Sequence, residues 1–128
     1  MRASELRVGN WVMYSYMITV NGYKIAECED HPSRFSAVPL TEKWLLKFGF
    51  EKVTYHHEDH LDDIEYHLKV NDDVFMCYCD DFSVGLYASK KDMYDTISVI
   101  PEKKSVDTVH GLQNLYFALS GKELEIKK

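Results

Sequence analysis

The chain has no run approaching the roughly 20 apolar residues that cross a bilayer. Its N-terminus, Met1-Arg-Ala-Ser-Glu-Leu-Arg, lacks the apolar core of a signal peptide. A protein that stays in the cytoplasm where it is made is expected. Glycine is scarce, six in 128 residues, and never clustered. That excludes a Gly-rich phosphate loop, and neither a P-loop lysine nor a G-x-S-x-G elbow occurs. Three cysteines, Cys28, Cys77 and Cys79, are too few and too uneven for a disulfide framework and read as reduced thiols. Basic residues are also in deficit, giving a net charge of -6 that disfavours direct nucleic-acid binding.

What is present is unevenly placed. Thr54 to Asp81 holds nine acids and one base, Lys69, a net of -8, while the remainder is +2. The same block carries four of the six histidines: His56, His57, His60 and His67. A local acidic face suits a basic partner. Aromatics make up 13% of the chain, which favours half-buried sheet surfaces and interfaces.

The length fits one domain, 1–128. The β-rich run from Trp11 to Val20, followed by Asn21-Gly22, predicts an N-terminal hairpin over 8–27, with Tyr23 to Ala26 returning after a type I′ turn. Thr41-Glu-Lys-Trp-Leu-Leu-Lys-Phe-Gly49 predicts a helix over 41–48. Thr41 caps it, Trp44, Leu45 and Phe48 form its apolar face, and Gly49 is its left-handed stop. A β-meander over 50–100 follows: Phe50 to His56, Ile64 to Val70, Val74 to Cys79, Phe82 to Ala88 and Thr96 to Ile100. In Ile64-Glu-Tyr-His-Leu-Lys-Val70 alternation predicts an inward apolar face, with Glu65, His67 and Lys69 outward. Val109, Leu112, Leu115, Tyr116 and Leu119 predict a helix over 107–120, capped by Asp107 or Thr108 and stopped by Gly121. The tail from Lys122 reads as a short strand or a frayed end. The composite is an α+β fold: an antiparallel, partly curled sheet with the short middle helix and the C-terminal helix packed on it.

Three segments also resemble a family of small proteins encoded by bacteriophages and integrated mobile elements. They are Leu6-Arg-Val-Gly-Asn-Trp-Val12, Pro39-Leu-Thr-Glu-Lys-Trp-Leu-Leu-Lys-Phe-Gly-Phe50 and His110-Gly-Leu-Gln-Asn-Leu-Tyr-Phe-Ala-Leu-Ser-Gly-Lys-Glu-Leu124, in that order. The resemblance brings no catalytic motif and fades in the acidic block. It implies a non-enzymatic accessory protein that binds a host protein. By analogy of context, an anti-CRISPR inhibitor of an RNA-targeting effector nuclease is its most specific form.

The expected partner-binding residues are Asp62, Asp63, Glu65, Asp72, Asp73, Asp80 and Asp81, with Tyr66 and Tyr78 as aromatic anchors where they face outward. No metal or other cofactor is assigned. The Asp pairs fall at turns, where Asp is solvated, rather than converging as two-metal sites require. Cys77 and Cys79 share a strand face and could form a zinc site with His67 and one of His56, His57 or His60. The spacing is not that of a zinc knuckle, and core packing is the ordinary role of such cysteines. A phage assembly module is the remaining alternative.

Overall fold

The computed structural model describes residues 1–59, 61–71, 75–79, 84–87, 97–98 and 106–127, with backbone alone for 79, 84–87 and 97–98. The fold is α+β and consists of two compact units. Unit 1 comprises Met1–Leu40 and Asp107–Leu124; unit 2 comprises Thr41–Val106 and Glu125–Lys128. Where one sheet is expected, there are two, of three and five strands.

Unit 1 contains a three-stranded antiparallel sheet of order β2-β1-β3, formed by β1 (Trp11–Met13), β2 (Met17–Thr19) and β3 (Ser36–Ala37). Val12 sits opposite Ile18 on one side and Ala37 on the other. The N-terminal hairpin therefore turns at Tyr14-Ser-Tyr16, not at Asn21-Gly22. The segment expected to return as a strand is helix α1 (Gly22–Asp30). Asn21 is its N-cap: its side-chain oxygen accepts from the Lys24 amide at 2.9 Å. Asn-Gly is compatible with either role, and the downstream residues decide. Lys24, Ala26, Glu27 and Glu29 are helix formers, and Ile25 and Cys28, three apart, reach the core. That core is Leu6, Val12, Val20, Cys28 and Phe35, with Tyr14 stacked at 5.0 Å on Phe35.

The C-terminal helix α3 (Val109–Ser120) completes unit 1. The Thr108 hydroxyl caps it by accepting from the Gly111 amide at 3.1 Å, and Gly121 ends it at φ 71°. Its buried stripe includes two polar residues, His110 and Gln113, beside Val109 and Leu112.

Unit 2 opens with helix α2 (Glu42–Lys47), entered from Thr41 and stopped at Gly49 with φ 94°. The Thr41 hydroxyl makes no capping bond. An antiparallel meander follows in the order β4-β5-β6-β7-β8: β4 (Glu51–Tyr55), β5 (Asp63–Lys69), β6 (Phe75–Cys79), β7 (Val84–Tyr87) and β8 (Ile97–Ser98). Each strand coincides, within a few residues, with an apolar run expected as a strand. Trp44, Leu45, Phe48 and Phe50 are buried with Met76 and Tyr78, and Phe50 meets Tyr78 edge-on at 6.3 Å. The tail forms no strand among the described residues; the Lys127 amide instead donates to the Lys47 carbonyl at 2.7 Å.

Candidate functional site

The β4–β5 hairpin carries the part of the acidic block that the structure describes. Residues 51–65 hold six carboxylates against one base, Lys52, which pairs with Glu42 at 2.7 Å. The β4 and β5 ladder ends at Tyr55 opposite Asp63. In the connection, His56, His57, Glu58, Asp59, Leu61 and Asp62 are all exposed, and Leu61 reaches 90% exposure. Two histidine–carboxylate pairs tie the ends of this loop together. His56 Nδ1 lies 3.0 Å from Asp62 Oδ2, and His57 Nε2 lies 2.7 Å from Asp63 Oδ2. Exposed pairs of this kind contribute little to stability, roughly 0–1 kcal/mol, but they set the loop's shape.

Of the expected partner-binding residues, Asp62 and Asp63 are exposed on this hairpin and Glu65 is partly exposed beyond it. Asp72, Asp73, Asp80 and Asp81 lie outside the described residues. The two aromatic anchors are corrected. Tyr78 is fully buried against Phe50. Tyr66, opposite Tyr78 on the same sheet face, is half-buried and hydrogen-bonded to the Glu42 carboxylate of α2. Together with the Lys52–Glu42 pair, that bond holds the Glu42 carboxyl below its ordinary range. Both tyrosines therefore belong to the helix-covered face. Among the described residues, the exposed tyrosines are Tyr16 and Tyr23, both in unit 1.

The opposite face of β5 departs from the expected alternation. His67, expected outward, is 4% exposed, whereas Ile64, Tyr66 and Leu68 are only half-buried. β5 is an inner strand, and His67 stands directly opposite Cys77 on β6, which is also buried. Glu65 lies two residues earlier on the same face. Its Oε1 is 2.9 Å from His67 Nε2 and accepts from Cys77 Sγ at 3.2 Å. The carboxylate thereby partners two buried polar groups, which is what permits their burial.

Among the described residues this is the one group of three metal-type donors that converges, with all three atoms within 4.8 Å of one another. The zinc alternative named Cys77 and His67 together by residue type. It missed Glu65, whose i, i+2 relation to His67 on a strand was the available signal. It also enlisted the loop histidines, but His56 and His57 pair with Asp62 and Asp63, and His60 lies outside the described residues. The backbone of Cys79 stands opposite Glu65. Cys28 is a buried core thiol whose pKa is pushed up by that burial, and it donates to the Met1 carbonyl at 3.5 Å. A thiol held protonated makes a poor nucleophile.

Unit 1 holds the segments Leu6–Val12 and His110–Leu124. Asn10 is fully buried and donates to Asn114 Oδ1 at 3.0 Å, while its own Oδ1 accepts from the Arg7 amide at 2.7 Å. Gln113 accepts from the Trp11 amide at 2.9 Å and donates to the Gly9 carbonyl at 3.1 Å. Asn114 donates to the Glu5 carbonyl at 2.8 Å. The Arg7 guanidinium lies 3.6 Å over the Phe117 ring and pairs with Glu123. Gly9-Asn-Trp-Val12 and His110-Gly-Leu-Gln-Asn114 are thus complementary halves of one amide lock. No family model, curated protein or solved structure matches the chain.

Proposed function

We propose that this is a non-enzymatic accessory protein of phage or mobile-element origin that docks through the β4–β5 hairpin onto a basic surface of a host protein. The observation that carries the reading is the hairpin itself: six carboxylates, one internally paired base and a solvent-facing leucine near its tip. Long-range attraction from Glu58, Asp59, Asp62 and Asp63 would raise the encounter rate, and Leu61 would supply apolar contact once docked. The carboxylates repel bare nucleic acid, so a protein partner fits better than direct RNA or DNA binding. Inhibition of a CRISPR effector nuclease is the most specific form of this proposal, because a basic RNA-binding channel is the complementary surface. It rests on the family resemblance and on charge.

The test is a tagged capture from host lysate, read by mass spectrometry and repeated with Glu58, Asp59, Asp62 and Asp63 changed to lysine. Support would be a basic host protein recovered by the wild type and lost by the variant, with an association rate that falls as salt rises. Affinity for that protein retained by the variant at low salt would remove the hairpin from the interface. Recovery of only this chain or of phage proteins would favour an assembly module instead.

A further inference from the structure

We infer that Glu65, His67 and Cys77 form a zinc-binding site on the sheet face opposite α2. The inference shares only Glu65 with the docking proposal, and its donors are set back from the hairpin tip. Three observations converge. The donors are an imidazole nitrogen, a thiol sulfur and a carboxylate oxygen, a mixed set that suits Zn²⁺ and not Mg²⁺ or Ca²⁺, which take oxygen. Two of the three side chains are buried on a rigid inner strand pair, directly opposed in register. The third, Glu65, has a side chain 29% exposed, leaving an approach from solvent.

The distances are close to what a metal needs. Around a tetrahedral Zn²⁺, donor atoms stand about 3.3–3.8 Å apart, given bonds of about 2.0–2.3 Å. Here the Glu65–His67 and Glu65–Cys77 separations are 2.9 and 3.2 Å, and the third separation is within 4.8 Å. Each has to change by roughly 1 Å or less, within the reach of side-chain rotation. The proton balance is explicit. Cys77 passes from thiol to thiolate on binding Zn²⁺ and releases one proton to solvent. His67 ligates through Nε2, with its ring proton on Nδ1. Glu65 exchanges two hydrogen bonds for one metal bond. Affinity therefore falls at acid pH, where proton competes with metal. Three protein ligands leave a fourth tetrahedral position for water or another donor.

The experiment is a Co²⁺ titration of the full-length reduced protein, followed by optical absorption. The expected result is one equivalent bound, with intense near-ultraviolet thiolate-to-cobalt absorption and the visible bands of a tetrahedral ion, all displaced by Zn²⁺. Cys77→Ser abolishes the thiolate band, whereas Cys28→Ser leaves it intact. Glu65→Gln changes no volume and guards against loss of fold. It weakens Co²⁺ binding by roughly tenfold or more, on the scale seen when metal-site partners are removed. Zn²⁺ also raises the melting temperature of the wild type and not of Cys77→Ser, because a ligand of the native state stabilises it. A titration without a thiolate band, or a band that persists in Cys77→Ser, overturns the site. The triad is then only a carboxylate satisfying two buried donors.

Discussion

At the scale of single residues, buried polar groups carry the most specific information. Gln113 bridges the Trp11 amide and the Gly9 carbonyl at 2.9 and 3.1 Å. Leucine there would fill much of the space and leave both backbone groups unsatisfied. At about 1–3 kcal/mol for each orphaned group, Gln113→Leu should cost about 2–6 kcal/mol. A urea unfolding midpoint equal to that of the wild type would mean that water replaces the side chain without loss. His110 makes a second prediction. It is buried, its Nδ1 has no hydrogen-bond partner, and desolvation holds its pKa below the ordinary imidazole value, against smaller opposing pulls from Glu5 and Asp107. The unfolded chain therefore binds a proton more readily than the folded one. Stability from neutral His110 is fully present above about pH 6.5 and is lost as pH falls through the lower folded value. His110→Leu should flatten the decline of unfolding free energy as pH falls below about 6.5. The wild-type slope persisting in the variant would assign the decline to carboxylates instead.

At the scale of elements, legibility followed the uniqueness of each local signal. The helix from Glu42 and the helix to Ser120 were readable because Gly49 and Gly121 mark their ends with positive φ and their apolar residues repeat at helical spacing. The meander was readable because its apolar runs are separated by Asp-rich stretches of sequence. The segment 21–30 was misread because Asn-Gly serves both a hairpin turn and a helix start, and only the residues after it separate the two. The site was half legible. Cys77 and His67 stood out by residue type, whereas their meeting depends on the β5–β6 register, which no local pattern encodes. Glu65 was hidden among other acids, and the burial of Tyr78 was hidden by ordinary alternation. The capping role of Asn21 can be tested directly. Asn21→Ala removes the bond to the Lys24 amide and should cost about 0.5–2 kcal/mol with a small loss of helical circular dichroism, while Asn21→Asp should keep most of both. If alanine proved neutral, the cap would contribute nothing and Gly22 alone would start the helix.

At the scale of the molecule, the larger segment of unit 2, Thr41–Val106, is inserted in unit 1, and the rest of unit 2 is the tail Glu125–Lys128. The chain leaves unit 1 at Leu40 and re-enters at Asp107, and the two ends are already joined. The Leu40 amide donates to the Asp107 carbonyl at 2.9 Å, Pro39 bridges to Thr108, and the Val109 amide donates to the Val38 carbonyl at 2.9 Å. Unit 1 also holds its own apolar core and the amide lock between Asn10, Gln113 and Asn114. Excising 41–106 and closing the gap with a two-residue glycine-serine linker should therefore leave a folded domain. At about 60 residues it would sit near the lower limit of single-core stability, so a low melting temperature is expected. Cooperative thermal unfolding, with near-ultraviolet circular dichroism from Trp11, would establish that unit 1 folds alone. Gln113→Leu should then abolish folding, since about 2–6 kcal/mol is most of what so small a domain holds. Non-cooperative melting with native helix content would instead mean that unit 1 reaches its packing only in the presence of the insertion.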